Sequence, residues 1–382
     1  MKKLIAYLFL ALTATACVND DKYDWDNDFA DRSDTDTLHI AIAYNGATAT
    51  VTGDASNFVS IDGANVTVRS NTNRFLLLTL SGTTQNGSLL IHSWKKLGVL
   101  LNGVNITNPI GPAINNQCSK AFYVLTATGT DNTLTDGTAY ADNPFTAYGD
   151  TIDQKATLFS EGQIYFGGSG MLTVNGNAKN GIASDDYVVF ESGTVSVNVA
   201  ATGTNGVKVN DGFTITGGIL NIDVKADGAR GIKNDSFTTF NGGTTTITTS
   251  GDCKIETVDG ISDTTSCAGI RCDSLFSMKA GTLTITSNGD GGKGINCSQN
   301  IEVSGGSMTV NTTDTKAVVG KPKAVKSDTG IILSGGYFYA SCKKSWACDN
   351  GSDSEKASER VTIIGTPTSK SLAKRLVEVS FL

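Results

Sequence analysis

Gly181–Asp185 (GIASD), Gly206–Asn210 (GVKVN), Gly231–Asp235 (GIKND), Gly269–Asp273 (GIRCD), Gly294–Ser298 (GINCS) and Ala324–Asp328 (AVKSD) are one phrase returning along the chain. The starts are 25, 25, 38, 25 and 30 residues apart. A second phrase, a turn glycine followed by alternation, returns at Gly193 (GTVSV), Gly218 (GILNI), Gly243 (GTTTI), Gly281 (GTLTI), Gly306 (GSMTV) and Gly336 (GYFYA) with the same unequal intervals. Two phrases that stay in step through irregular spacing mark a structural repeat, whose units bury their apolar faces against one another.

Inside each unit, apolar residues alternate with Thr, Ser, Asn or Asp, as in Leu283-Thr284-Ile285 and Leu220-Asn221-Ile222. That is strand periodicity. Short strands, tight turns and a period near 25 predict an all-β fold, a right-handed parallel β-helix with coils of about 25 residues. The 38-residue interval holds an insertion at about Ile255 to Cys267, expected as a surface loop. Earlier strands are expected from His39 to Ala43, Arg74 to Leu80, Val99 to Ile106 and Phe122 to Leu125, with a polar loop at Tyr140 to Gln154.

The N-terminus reads differently. Lys2 and Lys3, an apolar run from Leu4 to Leu12, and Ala14-Thr15-Ala16 before Cys17 predict a lipoprotein signal at residues 1–16 and an acylated Cys17. Residues 17–36 form an acidic, flexible linker on composition, residues 37–351 the repeat domain, and residues 352–382 a C-terminal cap. An acidic stretch right after the cysteine resembles the surface-export signals of Bacteroidetes lipoproteins. It implies an outer-membrane lipoprotein exposed on the cell surface, a monomer touching the membrane only through its lipid. The net charge of −7 argues against a nucleic-acid partner. Of eight cysteines, Cys17 leaves an odd number behind. Cys272 and Cys297 are expected to face the core as stacked thiols or a bridge, and Cys253/Cys267 and Cys342/Cys348 as staples.

Counting each repeat's first residue as zero, place +2 holds Ala183, Lys208, Lys233, Arg271, Asn296 and Lys326, and place +4 holds Asp185, Asn210, Asp235, Asp273, Ser298 and Asp328. Both places share the face opposite the apolar +1 residue. Stacking makes one mostly basic column and one mostly acidic column. Like charges about 4.8 Å apart repel by roughly 0.9 kcal/mol in water and about 3.5 at an effective dielectric of 20. The columns therefore either neutralise each other or meet an acidic ligand. Lys208, Lys233, Arg271 and Lys326 are the candidate grips for uronate carboxylates, with Tyr337 and Tyr339 as rings for sugar stacking near Trp346. Asp185, Asp186, Asp211 and Asp235 are candidate Ca²⁺ ligands, since that ion takes six to eight oxygens, and Glu256, Asp259 and Asp263 form a looser set.

The run Leu100-Leu101-Asn102-Gly103-Val104-Asn105-Ile106-Thr107, Gly111-Pro112-Ala113-Ile114, Gly129-Thr130-Asp131-Asn132-Thr133-Leu134-Thr135-Asp136 and Lys155-Ala156-Thr157-Leu158-Phe159-Ser160, followed by GIASD-type units, resembles a known family. It is the bacterial secreted carbohydrate-binding family whose β-helix resembles pectate lyases. The resemblance spans about Thr37 to Asp349 and implies binding of cellulose or acidic plant polysaccharide, with calcium. The Gly-Asp-Gly-Ile-Lys runs frequent in such proteins are broken here, as Asp227-Gly228 before Gly231-Ile232-Lys233 and Asp290-Gly291 before Gly294-Ile295. The expected function is non-catalytic polysaccharide binding. Two rivals stand: a lyase or hydrolase, for which Arg230, Lys233 and Arg271 would supply a base, and an adhesive or structural stalk.

Overall fold

The computed structural model describes residues 36–145, 149–265, 267–316 and 320–382. The signal at residues 1–16, Cys17 and the linker up to residue 35 lie outside them.

The phrase residues form the strands Asn180–Ser184, Val207–Val209, Arg230–Asn234, Ala268–Cys272, Lys293–Cys297 and Lys323–Ser327. These pair in parallel within a 12-stranded sheet. The register aligns the +1 residues Ile182, Val207, Ile232, Ile270, Ile295 and Val325, all fully buried. The second phrase opens strands of a 19-stranded sheet. Its glycines, including Gly193, Gly243 and Gly306, have φ of 81°, 69° and 75°, left-handed values that favour residues lacking Cβ. Both sheets face one apolar core. Inside it, Phe166, Phe190, Phe213, Phe240 and Phe276 follow one another with ring centroids 4.4–6.1 Å apart, each pair adding about 0.5–1.5 kcal/mol beyond burial.

The phrase glycines answer a steric demand. A Cβ on Gly231 would lie 2.4 Å from Ile247 Cγ2, and one on Gly294 would lie 2.1 Å from Val310 Cγ1. The register carries this neighbour through Val197, Ile222, Ile247, Ile285, Val310 and finally Ala340. Only the last repeat has Ala324 in place of glycine, and it is the repeat whose neighbour has shrunk to alanine.

The structure corrects the expected architecture. A right-handed parallel β-helix with coils of about 25 residues would step evenly. Here the separation of paired residues doubles between Leu76↔Leu97 and Phe122↔Ile164. Strands as long as Phe237–Thr249 run on around the wall. Antiparallel strands, Thr48–Thr52 at one end and Ser369–Ala373 with Leu376–Ser380 at the other, belong to the larger sheet itself. The result is a closed, barrel-like wall of parallel strands with extra sheets and, among the described residues, almost no helix beyond Ala357–Glu359. An evenly stepping solenoid does not describe it. Loops of unequal length between short strands upset the even step, while strand-on-strand hydrogen bonding persists.

Two smaller expectations change as well. The insertion is not merely a loop: Lys254–Val258 and Ile261–Thr265 form an antiparallel hairpin. The cysteine staples are absent, because all seven described cysteines are buried free thiols. Cys272 and Cys297 face the core in register, with Sγ atoms 3.7 Å apart.

Candidate functional site

The register places Ala183, Lys208, Lys233, Arg271, Asn296 and Lys326 on successive strands, so the basic column exists as a column. Each cation leans on the +4 residue of its own repeat. Lys208 Nζ donates to Asn210 Oδ1 at 2.8 Å, Lys233 lies 3.4 Å from Asp235, Arg271 lies 2.6 Å from Asp273, and Lys326 pairs with Asp328. Lys208 also reaches Asp235 of the next repeat at 3.7 Å. These are half-exposed pairs, each contributing about 0–1 kcal/mol to stability. Their effect is to hold the cations upright in a row.

Around Arg271 the row becomes a cleft of about 420 Å³. It is lined by Arg230, Lys233, Arg271, Lys293 and Lys326, with Asp273, Asn296, Thr264 and Thr265. Five cations and one carboxylate line the cleft, while Asp235 and Asp328 pair with Lys233 and Lys326 at its rim. Burial, with help from neighbouring Arg271, pulls the Arg230 guanidinium below its ordinary value, and burial does the same to the Lys293 ammonium. Removing water from like charges at close range favours an anion that enters between them. Asn296 Oδ1, on the same wall, is shielded from solvent and has no hydrogen-bond partner among the described residues.

Lys293 is the member that the +2/+4 count overlooked. Arg230, Ala268, Lys293 and Lys323 occupy the place just before each phrase and align in register. Extending the count one residue toward the N-terminus would have found this second basic column. Thr264 and Thr265 come from the hairpin, and no periodic signal points to them.

Tyr337 and Tyr339 do not join this cleft. They stand on the larger sheet, paired with Ser380 and Glu378 of the terminal hairpin, and Tyr337 Oη donates to Glu378 Oε1 at 2.9 Å. Trp346 is buried, with Arg360 4.1 Å and Lys374 4.6 Å from its ring centre. That ring is taken up by packing against these two cations.

The four metal candidates are also dispersed. Asp185 lies with Asp153 and Glu161 in a trio whose oxygens come within 4.8 Å of one another. Lys155 Nζ sits in it, 2.6 Å from Asp153 and 2.5 Å from Asp185. Burial and then the Asp185 charge push the Glu161 carboxyl up. Asp186 accepts from Gln163, and burial, with Asp211 nearby, raises its pKa. Asp235 is held by Lys208 and Lys233. At Asp185 and Asp235 a calcium ion would have to displace ammonium groups already there, so those two carboxylates fit the ion poorly. In the looser set, Glu256 accepts from Thr265 Oγ1 at 2.9 Å.

A family model described as carbohydrate-binding domain-containing protein matches residues 62–342. A carbohydrate-binding domain-containing protein of Acetivibrio thermocellus is 32% identical over 149 residues, covering 38% of this chain and 50% of that one. The chain therefore spans about half the length of this curated relative. A solved structure of a polysaccharide lyase-like protein from C. thermocellum, a gadolinium derivative, superposes with a TM-score of 0.54 at 24% identity. It covers 74% of this chain and all of that one, a likeness of fold alone. None of these comparisons carries the pectate-lyase part of the resemblance.

Proposed function

The chain belongs to the carbohydrate-binding domain-containing protein family, and from that premise we propose that it binds an acidic polysaccharide without cleaving it. The cleft lined by Arg230, Lys233, Arg271, Lys293 and Lys326 supports this reading more than any other feature. Successive strands repeat about every 4.8 Å, close to the length of a sugar unit, so a uronate polymer lying along the column would offer one carboxylate per step. Asn296 Oδ1 supplies an acceptor for a sugar hydroxyl. Lys208 extends the grip beyond the cleft. Lipid on Cys17 would hold the domain at the outer-membrane surface, where such polymers arrive. Lys155, Lys208 and Lys233 already pair with Asp185 and Asp235, which favours a grip made by the cations over one bridged by calcium at those two carboxylates.

The test is a titration of the folded chain against polygalacturonate, cellulose oligosaccharides and a neutral glucan, with and without chelator, while unsaturated and reducing products are assayed. Saturable, chelator-insensitive binding of the acidic polymer without products is the expected result. Binding of the neutral glucan alone would remove the cationic cleft from the account. Silence with every glycan would favour a surface stalk. A lyase reading has one observation in its favour, the lowered pKa of Arg230 beside Arg271; release of unsaturated product would establish it.

A further inference from the structure

The basic columns do not stop at the cleft around Arg271. Lys323 follows Lys293 in register on the next strand. Beyond that strand, the last rung of the 12-stranded sheet is Cys348–Asp349, where Asp349 pairs in register with Lys326. A second cleft of about 500 Å³ opens there. The strand Lys323–Ser327 serves both clefts, since Lys326 lines the first and Lys323 the second. The C-terminal residues complete the second cleft with Arg360 and Lys374. The Ala347 N–H donates to the Lys374 carbonyl at 2.8 Å, which fixes the terminal turn against the cleft wall.

Positive charge exceeds negative charge in this second cleft. Lys323 and Arg360, both buried, each approach Asp349 at 2.8 Å. One carboxylate between two buried cations leaves a positive charge over. Arg360 lies 4.1 Å from the Trp346 ring centre and donates to the Ser354 carbonyl through Nε at 3.1 Å and Nη2 at 2.8 Å, so its guanidinium is held in place. Lys374 stands over the same ring and pairs with Glu355 at 3.4 Å. Lys321 and Lys344 are exposed, and neither forms an ion pair among the described residues. Exposed Asp353 is the other carboxylate in the lining. Partly desolvated cations in excess, with two lysines beside them, favour the entry of an anion.

We propose that this second cleft is a further subsite for an acidic polysaccharide, in line with the first; the inference rests on the reading of the first cleft as a uronate grip. From the Arg230 strand to the Lys326 strand there are three strand steps, about 14 Å, room for about three sugar units. One more step reaches Asp349, about 19 Å from Arg230. There the column changes sign, and the grip passes to Lys323, Lys344 and Lys321. A trimer is satisfied by the first cleft, whereas a polymer that runs on past Lys326 meets the second. The two clefts together select for length as well as for charge.

The test is titration calorimetry of the folded chain with trigalacturonate and with hexagalacturonate, repeated on Lys321→Ala, Lys344→Ala and the two together. Both side chains are exposed, and thermal unfolding of each variant checks that the fold is kept. The expected result is tighter binding of the hexamer than of the trimer. Hexamer affinity should fall about fivefold for each lysine removed, until the two oligomers bind alike in the double variant. Arg271→Ala should weaken both oligomers. A hexamer no tighter than the trimer, or a gain with length that survives the double substitution, overturns the second subsite and leaves the first cleft as the grip. Binding of neither oligomer would overturn the uronate reading itself, and the second subsite with it.

Discussion

Gly294→Ala is the sharpest test of how the repeats pack. An alanine there is easily accommodated by the backbone on propensity alone and would gain about 0.4–1 kcal/mol through the unfolded chain. The structure opposes that gain: the new Cβ would sit 2.1 Å from Val310 Cγ1 and 2.4 Å from the Ala324 carbonyl oxygen. Overpacking a closed core costs about 1–3 kcal/mol, and a backbone oxygen cannot rotate aside. A net loss of about 1–2 kcal/mol is expected. Val310→Ala alone removes buried methyl groups and should cost about 1.5–2.5 kcal/mol at roughly 0.8 kcal/mol per carbon plus a cavity contribution. The double variant reproduces the Ala324/Ala340 pairing that the last repeat already has. Its loss should be smaller than the sum of the singles by about 1 kcal/mol, a coupling typical of residues in contact. Urea unfolding of the four proteins, read by circular dichroism with equal m-values required, gives the cycle. Strict additivity, or a neutral Gly294→Ala, would refute the argument that glycine is kept by the inward neighbour.

Other outcomes follow from the charged groups. Lys233→Ala should weaken acidic-glycan binding about fivefold, the effect of one exposed charge contact of about 1 kcal/mol; Arg271→Ala should do so more strongly at low than at high salt, and titration calorimetry across salt concentrations checks both. Lys155→Met should convert the Asp153, Glu161 and Asp185 trio into a lanthanide site, detected as sensitised terbium luminescence that the parent chain lacks; equal luminescence from both would show that the ammonium excludes nothing. Burial pushes the Asp349 carboxyl up, but Lys323 at 2.8 Å and Arg360 at 2.8 Å outweigh it and leave the pKa below its ordinary value. A carboxylate depressed on folding stabilises the protein above its unfolded pKa, and that stability fades as pH falls from about 4 through the lower folded value. Asp349→Asn should therefore flatten the stability profile below about pH 4, measured by thermal unfolding from acid to neutral.

Much of the fold was legible in the residues because a parallel ladder preserves spacing. The 25-residue intervals that link Lys208, Lys233 and their neighbours are the same offsets at which their strands pair. Inward and outward sides follow from alternation, so residue order alone assigns the apolar +1 column and the basic +2 column. Composition also fixes the all-β class. The sequence is silent where separate segments meet. Nothing in the spacing of Thr264 and Thr265 says that their hairpin borders Arg230 and Lys293, since hairpin placement depends on how an insertion folds back over the sheet. Nor can the order of residues say that Asp185 is neutralised by Lys155, thirty positions earlier, because an ion pair forms between groups that folding brings within a few ångströms. The unequal loops, the continuous bent strands and the antiparallel end strands likewise close the wall in a way that even periodicity could not foresee. Local pattern determines which face a side chain takes; only the assembled sheets decide which faces converge, and the cationic cleft is a product of that convergence.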